Sequence, residues 1–71
     1  MNISIEYCVV WNFKPKAVGL ADALRKQRND FEIELIDGSG GAFEIRKEGE
    51  LIFSKLQLGY FPEVDEILNK L

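Results

Sequence analysis

"NISIEYCVVWNFKPKAVGLADALRKQ", residues 2–27, decides the fold, because its hydrophobic period changes partway along. Ile3, Ile5 and Tyr7 alternate with Ser4 and Glu6. Period two predicts a strand over about 2–8. Phe13, Ala17, Leu20, Ala21 and Leu24 then follow the spacing of one helix face, which predicts a helix running to about Gln27. Pro15 belongs in its first turn, where a missing N–H costs nothing. Arg25, Lys26 and Arg28 suit the helix's C-terminal dipole, and Asn29-Asp30 ends it.

The rest of the chain builds on that strand and helix. Phe31, Ile33 and Leu35 alternate with Glu32 and Glu34, predicting a second strand at 31–36. Two strands joined through a helix should be parallel, with a right-handed crossover. "DGSGG" (37–41) is a glycine-rich loop. Phe43 and Ile45 alternate with Glu44 and Arg46 in a third strand, 42–47. "KEGE" (47–50) is a tight turn with Gly49 at its strained position, and Leu51, Ile52 and Phe53 begin a fourth strand, closing a hairpin. "LQLGYFP" (56–62) reads as a loop. Pro62 is expected to open a last helix carrying Val64, Ile67, Leu68 and Leu71 at helical spacing. The expected fold is α/β: a two-layer sandwich in the order β-α-β-β-β-α, with a mixed four-stranded sheet and two helices. The thioredoxin-like fold has this order.

Composition narrows the function classes. Seventy-one residues suit one small domain, 1–71, and 46% apolar residues supply its core. A net charge of −3 with scattered Lys and Arg argues against nucleic acid, whose phosphates need clustered cations. No apolar run approaches the ~20 residues of a membrane helix, and the first residues lack the basic start and apolar run of a signal peptide. The expected compartment is the cytoplasm, with no membrane partner. A single cysteine fits a reducing environment. With no histidine, a structural zinc site lacks ligands, and Ser-His or Cys-His catalysis within one chain is excluded. No metal site is expected.

Cys8 is the main candidate for chemistry. Between a strand end and a helix, a thiolate would meet N–H groups whose partial positive charge favours the reactive form. The competing reading is a buried small hydrophobe, as most free cysteines are. Trp11, three positions on, cannot take part in a disulfide. It is either an apolar anchor for the loop or an aromatic wall beside the thiol. Gly40, Gly41 and Ala42 sit in a loop that could offer backbone N–H groups to a substrate, or that simply needs positive φ. The loop lacks a Walker lysine and dinucleotide-binding spacing. No carboxylates pair for acid–base work.

Three stretches, "YCVVWNFKPKAVGLADAL", "GSGGAFEIRKEGELIFSK" and "GYFPEVDEIL", stand together in an order that resembles the selenoprotein W-like (Rdx, SelT/SelW/SelH) family. The first is similar to that family's Tyr-Cys-x-x-(Sec or Cys) stretch with its following Lys-Pro-Lys. The second resembles its Gly-x-Phe-Glu strand and hairpin, the third its Gly-(Tyr/Phe)-Pro segment. The resemblance covers nearly the whole chain. It implies a thioredoxin-like fold and a thiol-based redox role linked to glutathione or thioredoxin. It places Cys8 at the first redox position and Trp11 where the selenocysteine or second cysteine stands.

Two functions follow as expectations. The first is a monothiol oxidoreductase: Cys8 is catalytic, Trp11, Gly40, Gly41 and Ala42 line the substrate groove, and glutathione serves as co-substrate with no resident cofactor. Its partners would be a thiol or disulfide protein or glutathione. The second is a catalytically silent module that keeps the fold and binds a protein. A solvent-accessible, primed Cys8 favours the first; a buried Cys8 beside exposed Val9, Val10, Trp11 and Phe61 favours the second. A monomer is expected, since a Cys8–Cys8 bond between chains would be transient in a reducing compartment.

Overall fold

The alternation at the start of the chain becomes β1 (Asn2–Cys8), with Ile3, Ile5 and Tyr7 buried on one face and Ser4 and Glu6 on the other. The computed structural model describes residues 1–71. After β1 come α1 (Lys14–Gln27), β2 (Glu32–Gly38), β3 (Phe43–Lys47), β4 (Glu50–Ser54), α2 (Lys55–Leu58) and α3 (Val64–Leu68). The strands form one sheet in the order β2-β1-β3-β4. β1 and β2 are parallel, with Ile3 beside Ile33 and Cys8 beside Gly38. β1–β3 and β3–β4 are antiparallel.

α1 starts without a side-chain cap, and Pro15 occupies its first turn as expected. Its buried stripe is Ala17, Leu20, Ala21 and Leu24. That stripe covers Ile3, Ile5, Tyr7, Ile45 and Phe53 from the sheet, and Ile67 of α3 closes the same core. Each fully buried Leu, Ile or Phe side chain contributes about 1.5–3 kcal/mol from water exclusion alone. The other sheet face, with Ser4, Glu6, Glu34 and Arg46, carries no long helix. The β3–β4 turn places both Glu48 (φ 51°) and Gly49 (φ 83°) in the left-handed region, the twist that two-residue hairpin loops need. No helix is long and apolar enough to cross a membrane.

Two expectations need correction. Residues 55–58, within or beside the segment read as loop, form a helical turn, so there are three helices rather than two. Ser54 caps it: its hydroxyl accepts the Gln57 N–H at 3.1 Å, and Gly59 (φ 82°) closes it in the left-handed conformation. Pro62 does not open the last helix. Glu63 is its N-cap in extended conformation, the helix ends at Leu68, and Leu71 lies beyond it while still packing on the core.

Candidate functional site

Cys8 ends β1, and the chain folds over it from two sides. Its N–H donates to the Ala42 carbonyl at 2.8 Å, and its carbonyl accepts the Phe13 N–H at 3.1 Å. Val9 N–H donates to the Gly38 carbonyl at 3.3 Å. Loop 9–13 and loop 39–42 are thus both pinned to the strand end, and the Cys8 residue has 0% of its surface exposed. The thiol is free, with no second cysteine to pair. No group of three or more His, Cys, Asp or Glu side chains is placed to hold a metal ion.

The residues after Cys8 are its opposite. Val9, Val10 and Trp11 are 50%, 84% and 61% exposed. Asn12, at φ 58°, turns the chain back toward α1, and its N–H donates to the Val9 carbonyl at 3.0 Å. A positive φ is unusual outside glycine, though asparagine tolerates it best. Trp11 does not project freely: its ring edge lies on Gly41, where an added Cβ would stand 2.9 Å from Cζ3. Gly41 (φ 80°) is therefore glycine for both conformation and space. Gly40 (φ 67°) needs only the conformation, because nothing lies near its Cβ position. Ala42 is buried and reaches Cys8 through its backbone. The four residues expected to line a groove thus divide. Trp11 and Gly41 touch, Ala42 bonds to Cys8, and Gly40 is exposed and touches neither.

Beside the strand end, Tyr7 Oη donates to Asp37 Oδ1 at 2.8 Å and ties β1 to β2. That hydrogen bond, then burial, then the nearby negative charge hold the Tyr7 hydroxyl above its ordinary titration range.

A file of edge-to-face aromatic rings runs from Trp11 to Phe13 (6.0 Å), Phe13 to Phe61 (4.8 Å) and Phe61 to Phe43 (5.2 Å). Lys16 and Lys55 both hold their ammonium groups over the Phe61 ring, at 4.5 and 5.1 Å. Phe13, read as part of the α1 face, is instead the residue before that helix and turns toward Phe61. No sequence periodicity signals this cluster, since its rings come from two loops and a strand and its lysines from two helices. The largest hollow, about 460 Å³, lies elsewhere, on the open sheet face between β1 and β2. It is shallow, walled by Glu32 and Glu34, and contains none of these groups.

Comparison with known proteins adds a consistent set of relatives. The family model of the Rdx family matches residues 2–71. Migration and invasion enhancer 1 from Bos taurus is 39% identical over 69 residues, and its Mus musculus counterpart is 38% identical. Each alignment covers 97% of this chain and 60% of the relative, so the chain spans about 60% of the length of these curated relatives. A crystal structure of a selenoprotein W-related protein from Vibrio cholerae superposes with a TM-score of 0.90 at 30% identity, covering 97% of this chain and 89% of that one. A crystal structure from Bordetella parapertussis gives 0.87 at 28% identity, covering 99% and 96%.

Proposed function

Because the chain belongs to the Rdx family, we propose that it acts as a partner-binding member of that family. It engages another protein through the exposed Val9–Val10–Trp11 loop and keeps its one thiol beneath. The observation that carries this reading is the inversion of exposure within four residues. Cys8 has none of its surface exposed, while Val10 and Trp11 have 84% and 61%. A thiol reacts as a thiolate that its target can reach. Contiguous exposed apolar residues mark contact surfaces, and tryptophan is among the residues that most often carry binding energy there. Trp11, at the position that resembles the family's second redox residue, supports the same conclusion, because a disulfide cannot form within this chain.

A second reading, monothiol redox chemistry at Cys8, is favoured by the way the cover is held. Between its ends, loop 9–12 is tied to the rest of the chain by one long hydrogen bond, Val9 to Gly38 at 3.3 Å, and by the Trp11 ring on Gly41, with Asn12 at positive φ. With the loop lifted, the Cys8 thiolate would attack a disulfide of glutathione or a partner protein. One S–S bond breaks, a mixed disulfide to Cys8 forms, and the departing thiolate takes up a proton. A second thiol then resolves the adduct.

Affinity capture from extracts of the producing cell separates the two. The docking reading expects a protein retained by the wild type and by Cys8→Ala, and lost with Val10→Asp. A protein lost with Cys8→Ala and released from the wild type by dithiothreitol alone would replace docking with the redox reading.

A further inference from the structure

The aromatic file ends in a cleft beyond the Val9–Trp11 loop, where Phe61 and Phe43 form part of the wall. Between α1 and the segment 61–64 lies a recess of about 210 Å³, lined by Lys16, Gly19, Leu20, Phe43, Phe61 and Val64. Whole small-molecule sites are usually about 300–1,000 Å³ and have convergent polar groups. This recess has room for one apolar side chain and little more. Gly19 is its open wall: it is exposed, and a Cβ there would meet no atom within 4 Å.

Charge gives the recess its selectivity. Acidic residues outnumber basic ones, 12 to 9, yet Lys16 and Lys55, like the other lysines, form no ion pair with an Asp or Glu. The ion pairs of the chain are Arg25–Asp22, Arg28–Asp30 and Arg46–Glu6. The two lysines instead lie over one ring, Phe61, which compensates their charge weakly. Glu63 also borders the cleft, but it is within ion-pair distance of neither. Lys16 lines the apolar recess, and Lys55 stands outside its lining over the same Phe61 ring; together they favour an apolar side chain with carboxylates beside it. No arginine lines the cleft to grip a phosphate bidentately.

We propose that this cleft docks an extended segment of a partner protein in which an apolar side chain is flanked by carboxylates. The proposal rests on the docking reading of the Val9–Trp11 loop and names its partner's chemistry. The same segment would run from Trp11 over Phe13, reach Phe61, and set its apolar side chain against Leu20, Phe43 and Val64.

The test is a titration of the ¹⁵N-labelled chain, followed by amide shifts. The probe is the acetylated, amidated pentapeptide Gly-Glu-Leu-Glu-Gly, beside Gly-Lys-Leu-Lys-Gly. The acidic peptide should shift the amides of Lys16, Gly19, Phe61 and Val64. It should bind about fivefold more tightly than the basic one, a factor that two exposed ion pairs can supply. Gly19→Leu fills the open wall and replaces a glycine inside a helix, which favours the helix. It should abolish these shifts while leaving the remaining spectrum in place. Lys16→Glu, a surface change, should erase the charge preference. Val10→Ser should leave binding of this short probe intact, so failure of the loop reading and failure of the cleft proposal are told apart. Equal binding of the two peptides, no shifts at the cleft, or full binding by Gly19→Leu would overturn the proposal.

Discussion

Replacing Gly41 by alanine should cost about 2–3 kcal/mol, and the structure divides that cost in two. Gly41 has φ 80°, where an L-residue costs roughly 1–2 kcal/mol. The new methyl would also stand 2.9 Å from Trp11 Cζ3 and 3.3 Å from two further ring atoms. Trp11 is 61% exposed, so its ring can swing outward rather than force the backbone. The loss is then its contact with Gly41 and its edge-to-face contact with Phe13, about 0.5–1.5 kcal/mol for an aromatic pair. Gly40→Ala isolates the first part, because Gly40 has φ 67° and open space around its Cβ. Urea melts should place Gly40→Ala about 1 kcal/mol below wild type and Gly41→Ala clearly lower still. For a chain of this size the Gly41 variant should lose about 10 °C in Tm. In a Trp11→Ala background, Gly41→Ala should cost no more than Gly40→Ala. Trp11 is the only tryptophan, so its emission reports the swing directly. Equal costs for the two variants with unchanged emission would show that the ring does not rest on Gly41.

Three further outcomes follow from the same structure. Ser54→Ala removes the hydroxyl that donates to Glu44 Oε1 at 2.5 Å and accepts from Gln57 N–H, leaving a buried carboxylate short of a partner. Urea melts should show a loss of about 1–3 kcal/mol. At alkaline pH, the Tyr7 hydroxyl titrates higher in the folded chain than its ordinary 10.0, so its contribution is full below that value. The contribution fades as pH rises through the raised value, and Tyr7→Phe should flatten that decline in melts taken from pH 9 upward; the smaller fall that remains belongs to Tyr60, raised by its hydrogen bond to Glu66. Trp11→Cys should form an internal bond with Cys8 on mild oxidation, and two thiols still free by mass spectrometry would show that positions 8 and 11 do not face each other.

Much of the architecture is written in local periodicity. Ile3-Ile5-Tyr7 and Phe43-Ile45 alternate because one sheet face carries the apolar core and the other carries polar residues, and β1, β3 and the parallel crossover follow directly. The helical turn at Lys55–Leu58 escaped because four residues cannot show a helix period. Its signal was present in another form, a serine at 54 with a glutamine three positions later and a glycine at 59. Pro62 misled because proline favours a helix start but equally suits the extended lead-in that Glu63 shares here. At the site, the position of Cys8 at a strand end was legible and its burial was not. Burial depends on where two loops fold back, through the Phe13–Cys8 and Cys8–Ala42 hydrogen bonds between residues with no mutual sequence pattern. The pairing of Trp11 with Gly41, and of Lys16 and Lys55 with Phe61, is likewise tertiary and has no linear signature.

Whether the thiol lies sealed beneath the loop is read from the rate at which iodoacetamide modifies Cys8, native and in guanidinium, followed by mass spectrometry. A thiol with no exposed surface reacts only when the loop opens, and an opening cost of even ~3 kcal/mol leaves it reachable under about 1% of the time. Native alkylation should be at least about a hundredfold slower than denatured, and faster in a Val9→Gly variant that loosens the cover. A native rate equal to or above the denatured one would mean that Cys8 stands open and primed, and would contradict its burial.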